Sequence, residues 1–225
     1  MIVFIATYGG KTYNETDIEL IELKQARKAL KLLKSGQLAN DFFTEAEFDK
    51  SDVLYQKWLS EANGKLKSTD VRIKATGMTA EQFLEQFYQM TKDLPTMLAA
   101  NPEHYLINAD PSQAQLESSV EVCGGVPVKF VAKFGDEFLK EAPLNPDYPL
   151  RKVAKLYSRS GMFMCAGMHQ FRNIDDGFEA ILGIYYGGAI DDQNLTYHQE
   201  HLAVEYYNWY RFALKRLGGK EPAVF

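Results

Sequence analysis

Alternation of apolar and polar residues is clearest in "VPVKFVAKF", where Val128, Phe130, Ala132 and Phe134 point one way and Lys129 and Lys133 the other. That two-residue period predicts a strand with one covered face and one wet face. "LKSTDVRIKATG" repeats it, with Val71, Ile73 and Ala75 against Asp70, Arg72 and Lys74, and the opening "MIVFIATYGG" reads as a further strand. From His104 to Ala189 the segments "HYLIN", "LESSVEVC", "VPVKFVAKF", "KVAKLYS", "MFMCAGMHQF" and "FEAILGIYY" follow one another. They are divided by Asp110-Pro111, Gly124-Gly125, "APLNPDYP", Arg159 to Gly161 and Asp175 to Gly177. Consecutive strands joined by turn signals predict an antiparallel meander.

Helical spacing governs the rest. Ser/Thr-x-x-Glu/Gln capping boxes at Thr16–Glu19, Thr44–Glu47 and Thr79–Gln82 each predict a helix start, because the paired side chains satisfy orphan amides of the first turn. The first helix should stop at Gly36. The second carries Leu54, Trp58 and Leu59 and ends near Asn63-Gly64, making a helical hairpin with the first. Phe83, Phe87 and Met90 mark the third, which Pro95 should kink or split before Asn101-Pro102. A last helix from about Asp192 to Leu217 gathers Leu195, Leu202, Tyr206, Trp209, Ala213 and Leu217 on its main apolar face, with Val204, Arg211 and Lys215 opposite.

The expected fold class is therefore α+β. An antiparallel sheet of about six to seven strands packs against a long C-terminal helix, with an N-terminal strand and helical hairpin appended. Residues 1–66 form that appendage, or part of the same domain, and residues 67–225 the main α+β domain.

Composition narrows the partners. A formal charge of −5 repels phosphate backbones, so nucleic acid is not expected. Cys123 and Cys165 are too few for a disulfide framework, and the N-terminal apolar run lacks a basic lead-in and the length to cross a membrane, so a cytoplasmic protein with free thiols is expected. Gly9-Gly10, Gly124-Gly125 and Gly187-Gly188 lack the G-x-G-x-x-G or G-K-[ST] context of a phosphate loop, and no cofactor is assigned. Lys24, Arg27, Lys28, Lys31 and Lys34 share one side of the first helix, which is either a solvated face or a docking stripe.

From Ser68 onward the order of strand, interrupted helix, six strands and long helix resembles the helix-grip fold of START domains, birch-pollen-allergen-like proteins and polyketide cyclases. The resemblance rests on element order and implies a sheet gripping the C-terminal helix, with a ligand cavity between them. A small apolar or amphipathic ligand is the partner it suggests.

Candidate chemistry concentrates in "TYHQEHLAVEYYNWYRF". On a helix, His198 and Glu205 fall within about 20° of each other at the border of the apolar face, near Trp209 and Phe212, with His201 slightly further out. They are the candidate acid–base pair of a lyase, cyclase or hydrolase, with Glu205 expected to be raised by desolvation. The solvent-side edge of a packed helix is the plainer explanation of the same pair. No metal is assigned: the two histidines are three apart, not four, and a third ligand would have to come from His104, His169 or Cys165. Met162, Met164 and Met168 along one strand face, with Tyr185, Tyr206, Trp209 and Phe212, are the candidate ligand-binding residues, since thioethers adapt to ligand shape and aromatic rings offer large apolar surfaces. An ordinary core accounts for the same residues. A third reading makes the N-terminal helical hairpin a protein-interaction module.

Overall fold

The computed structural model describes residues 2–34, 43–109, 116–135, 139–140 and 142–218; the stop at Gly36 and the Asp110-Pro111 turn lie outside them. The elements run β1 (Phe4–Tyr8), β2 (Lys11–Tyr13), α1 (Glu15–Lys34), α2 (Glu45–Ser60), β3 (Leu66–Ser68), β4 (Val71–Thr76), α3 (Ala80–Met90), α4 (Leu94–Ala99), β5 (His104–Ala109) and β6 (Leu116–Cys123). They continue with β7 (Val126–Phe134), β8 (Leu150–Ser158), β9 (Phe163–Ile174), β10 (Gly177–Gly187) and α5 (Asp192–Arg216). No helix among the described residues is long and apolar enough to cross a membrane.

Among the described residues one sheet holds ten strands rather than six or seven, in the order β2-β1-β4-β10-β9-β8-β7-β6-β5, with β3 also pairing β10. Every pairing is antiparallel. The six consecutive strands β5 to β10 form the expected meander, each folding back on its predecessor, with the longer connection 135–149 between β7 and β8. The additional strands come from the N-terminal region: β1 pairs β4 with Phe4 opposite Ala75, and the 66/67 boundary falls inside β3. Strands of three residues such as β2 and β3 are too short to display a period.

Two of the three capping boxes form as read, at Thr44–Glu47 and Thr79–Gln82. The first does not. α1 starts earlier, where the Asp17 amide donates to Asn14 Oδ1 and the Asn14 amide to Asp17 Oδ2, both at 3.0 Å. Asparagine is at least as good an N-cap as threonine, and Glu15 ties this turn to the sheet by accepting the Phe4 amide at 3.0 Å. Pro95 sits in the first turn of α4 and splits it from α3.

α1 and α2 do not share a partner as a hairpin would: α1 lies along α5, whereas α2 packs on β7, β9 and β10. This arrangement corrects the helical wheel. Val204, expected opposite the apolar face, is fully buried, while Leu217 is exposed, because α5 is covered by the sheet and α3 on one side and by α1 on the other. Tyr207 donates to Glu19 and Asn208 to Glu22, both at 3.0 Å, and Phe4 packs its ring 5.3 Å from those of Tyr207 and Tyr210. Within the predicted basic stripe, Lys28 lies 3.9 Å from Glu103 and 5.3 Å from the centre of the Tyr197 ring.

Candidate functional site

A helix laid along a wide sheet cannot fill all the space beneath it. Between α5 and strands β5 to β10 remains a cavity of about 120 Å³. Its apolar wall comes from Phe87, Met97, Ile107, Phe130, Ala132, Phe134, Leu156, Ile184 and Leu202, and its polar wall from His104, Ser119, Glu121, Lys152, His169, His198, His201 and Glu205. The chain has four histidines, and all four line this cavity.

The loop between α4 and β5 places the group that the helix alone does not supply. Asn101 donates to the His201 carbonyl at 3.0 Å and accepts the Glu103 amide at 2.7 Å, while Asn208 donates to the Ala100 carbonyl at 3.1 Å. So anchored, the loop brings His104 Nε2 to 3.3 Å from His201 Nε2, with His104 Nδ1 3.0 Å from the Met97 carbonyl. Glu103, itself buried, sets Oε2 3.4 Å from His201 Nδ1, and Glu121 Oε2 lies 4.0 Å from His201 Nε2.

Electrostatics separates the imidazoles. Burial works against a charge on His201, but the Glu103 hydrogen bond and the carboxylates of Glu205 and Glu121 outweigh it and raise its pKa. His198 is driven well below the usual value by burial and by the neighbouring His201 and His169, and it is hydrogen-bonded through Nδ1 to the Tyr186 hydroxyl. His169 is pushed down to about 3 by burial and by Lys152, and its Nδ1 has no hydrogen-bond partner among the described residues.

Glu205 departs from expectation. Burial does act to raise it, yet His104, His201, the Trp209 indole and Lys152 together hold the carboxyl below its usual range, so it is ionised rather than a poised acid. Trp209 Nε1 donates to Glu205 Oε1 at 3.1 Å. Among the described residues His198 and Glu205 share no hydrogen bond; each is held by a different neighbour, although both line the cavity. Cys123 also reaches the lining, but burial and Glu121 push its thiol up, and burial does the same to Cys165, so neither is an activated thiolate.

The remaining sequence candidates lie around the cavity rather than on it. Met168 and Tyr185 pack in a separate small cluster with Ala142 and Val153; Met164 is buried in the main core, and Met162 is partly buried against it. Tyr206 is buried with its ring 5.3 Å from that of His169 and 6.3 Å from Phe87, and Phe212 packs beside Trp209 at 6.5 Å. β9 explains the methionines: its alternation turns Gly167 and His169 to the cavity and therefore Met168 away. The sequence reading passed over Glu103, Glu121 and Lys152, whose convergence depends on strand pairing; for His104, the scarcity of histidine was the available signal.

No protein-family model matches the chain, and no curated protein matches it.

Proposed function

We propose that this protein binds a small amphipathic molecule in the cavity beneath α5, its apolar part against Phe130, Ile107 and Leu202 and its polar part against the histidines. One observation carries the reading: all four histidines of the chain converge on one partly open, largely apolar space. Polar groups set against an apolar wall are what orient a ligand in a pocket. A space of about 120 Å³ limits the buried part to roughly the size of a benzene ring, well short of a lipid chain. The helix-grip resemblance is supported by the antiparallel sheet, the C-terminal helix and the space between them.

An enzymatic reading is favoured by the run Glu103–His201–His104. A carboxylate orients one imidazole, which faces a second across 3.3 Å, an arrangement suited to moving a proton to a bound molecule. In that case Glu205, ionised, and His198, neutral, serve as bases, and His201 is the acid.

Native mass spectrometry of the freshly purified protein tests the binding reading by searching for a co-purifying small mass, backed by thermal melts with ring-sized amides, phenols and carboxylic acids. At a ligand concentration of 100 times Kd the fold should gain about 2.7 kcal/mol. Replacing Glu205 by Gln should leave folding nearly intact and weaken binding about tenfold or more, since the charge goes and the shape stays. A panel that shifts neither protein, with no co-purifying mass, would refute the reading.

A further inference from the structure

We propose that His104, His201 and Glu205 are the ligands of a divalent transition-metal ion, zinc by fit, in the polar wall of the cavity. The proposal deepens the ligand-binding reading, because such an ion would hold the polar end of the bound molecule. One donor atom from each of the three residues lies within 4.8 Å of the others. The two Nε2 atoms are 3.3 Å apart, and two nitrogens about 2.05 Å from a tetrahedral ion stand about 3.3–3.4 Å apart.

Outer contacts prepare each donor. Nδ1 of His104 faces the Met97 carbonyl and Nδ1 of His201 faces the Glu103 carboxylate, acceptors that fix both rings as Nδ1–H tautomers. In those tautomers both Nε2 lone pairs border the same 3.3 Å gap, which is unfavourable unless a cation is shared between them. Trp209 occupies Oε1 of Glu205 and leaves the other oxygen for the ion. A carboxylate or carbonyl behind each ligating histidine is the common outer arrangement of metal sites.

Charge points the same way. Glu103 and Glu121 have side chains only 6% and 13% exposed, and with Glu205 they put three carboxylates around two imidazoles. Lys152 on the cavity wall and Lys28 beside Glu103 offset part of that charge. Two imidazoles and a carboxylate suit zinc better than calcium or magnesium, which prefer oxygen donors. The cavity beyond the three ligands leaves the fourth position for water or for the polar end of the bound molecule.

The test uses the full chain without a histidine tag, stripped by chelator dialysis and titrated with zinc or cobalt(II), with elemental analysis and the visible spectrum of the cobalt form. One ion per chain is expected, with Kd below about 1 μM. His104→Ala and Glu205→Gln should each weaken it about 100-fold or more, and Glu103→Gln about 10- to 100-fold through the His201 tautomer alone. Glu22→Gln, which alters a carboxylate bound to Asn208 outside the lining, should leave the affinity as it was. Circular dichroism of each variant checks folding, and Glu205→Gln keeps the test open if His104→Ala does not fold. Folded, stripped protein that takes up neither ion below about 100 μM would overturn the proposal, as would Glu205→Gln and Glu103→Gln binding like wild type. A proton shared between the two imidazoles would then account for their approach. Melts of the stripped protein with ring-sized fragments separate the two readings: fragment binding without metal uptake removes the ion and leaves the cavity, and failure of both removes both.

Discussion

At the scale of single residues, the cavity is a place where burial and neighbouring charge compete, and the outcome differs from one side chain to the next. His169 is the cleanest case. It is neutral in the fold because burial and Lys152 disfavour its charge, only partly offset by Glu205, while in the unfolded chain it protonates near pH 6.5. Below that pH the unfolded state binds the extra proton, so the contribution of His169 is fully present above about pH 6.5 and is lost as pH falls toward about 3. His169→Gln should therefore flatten the acid side of the stability curve, and urea melts at pH 7 and pH 4.5 should show the wild type losing on the order of 1–3 kcal/mol more than the variant. Equal losses in the two proteins would mean that this imidazole is solvated. Trp209 anchors the same region from behind, fully buried, with its ring 4.9 Å from Phe87 and its indole on Glu205. Trp209→Ala should cost about 3–5 kcal/mol, and a loss under about 1 kcal/mol by denaturant melt would contradict its place in the core. Sequence spacing put Trp209 on the apolar face of α5 and His198 and Glu205 at its border, since helical geometry is local. It could not supply Glu103 and His104, which arrive from the turn before β5 and its first residue about 100 positions away, nor the sign of the Glu205 shift, which His104 helps to determine.

At the scale of elements, legibility followed length and caps. The meander from β5 to β10 and the helices behind Thr44 and Thr79 were readable because each carries a period and a boundary signal. β2, β3 and the start of α1 were not, two being only three residues long and the third having two competing caps within three positions. The docking of α2 on the sheet was hidden for another reason: it depends on Gly187, over which the helix backbone passes so closely that an added Cβ would lie 2.2 Å from the Trp58 carbonyl oxygen. That spacing lets the Trp58 and Tyr55 rings reach Tyr186, at 5.9 and 5.7 Å. Gly187→Ala should push α2 off β10 and cost about 1–3 kcal/mol or more, as overpacking does. Thermal unfolding of the variant, together with the loss of amide-exchange protection in α2, would measure it; an unshifted melting temperature would show that the helix tolerates the methyl.

For the whole molecule, the sheet makes one unit of two sequence regions that looked separable. β4 lies between β1 and β10, and α5 between the sheet and α1, so removing residues 1–66 would bare a strand edge and the side of α5 carrying Tyr207 and Asn208. An exposed edge beside uncovered aromatic surface favours aggregation. The fragment 67–225 should accordingly be aggregated or lack a cooperative melt, whereas a monomeric fragment with a sharp transition would restore a separate N-terminal appendage. The convergence of the histidines has a practical corollary. The imidazole Hε1 proton, one per histidine, resonates apart from most of the proton spectrum of a protein in heavy water, and in this chain every such signal originates at the cavity wall. Four peaks from unlabelled, untagged protein thus form a reporter already built into the fold, silent to events at the outer surface and responsive to whatever enters beneath α5.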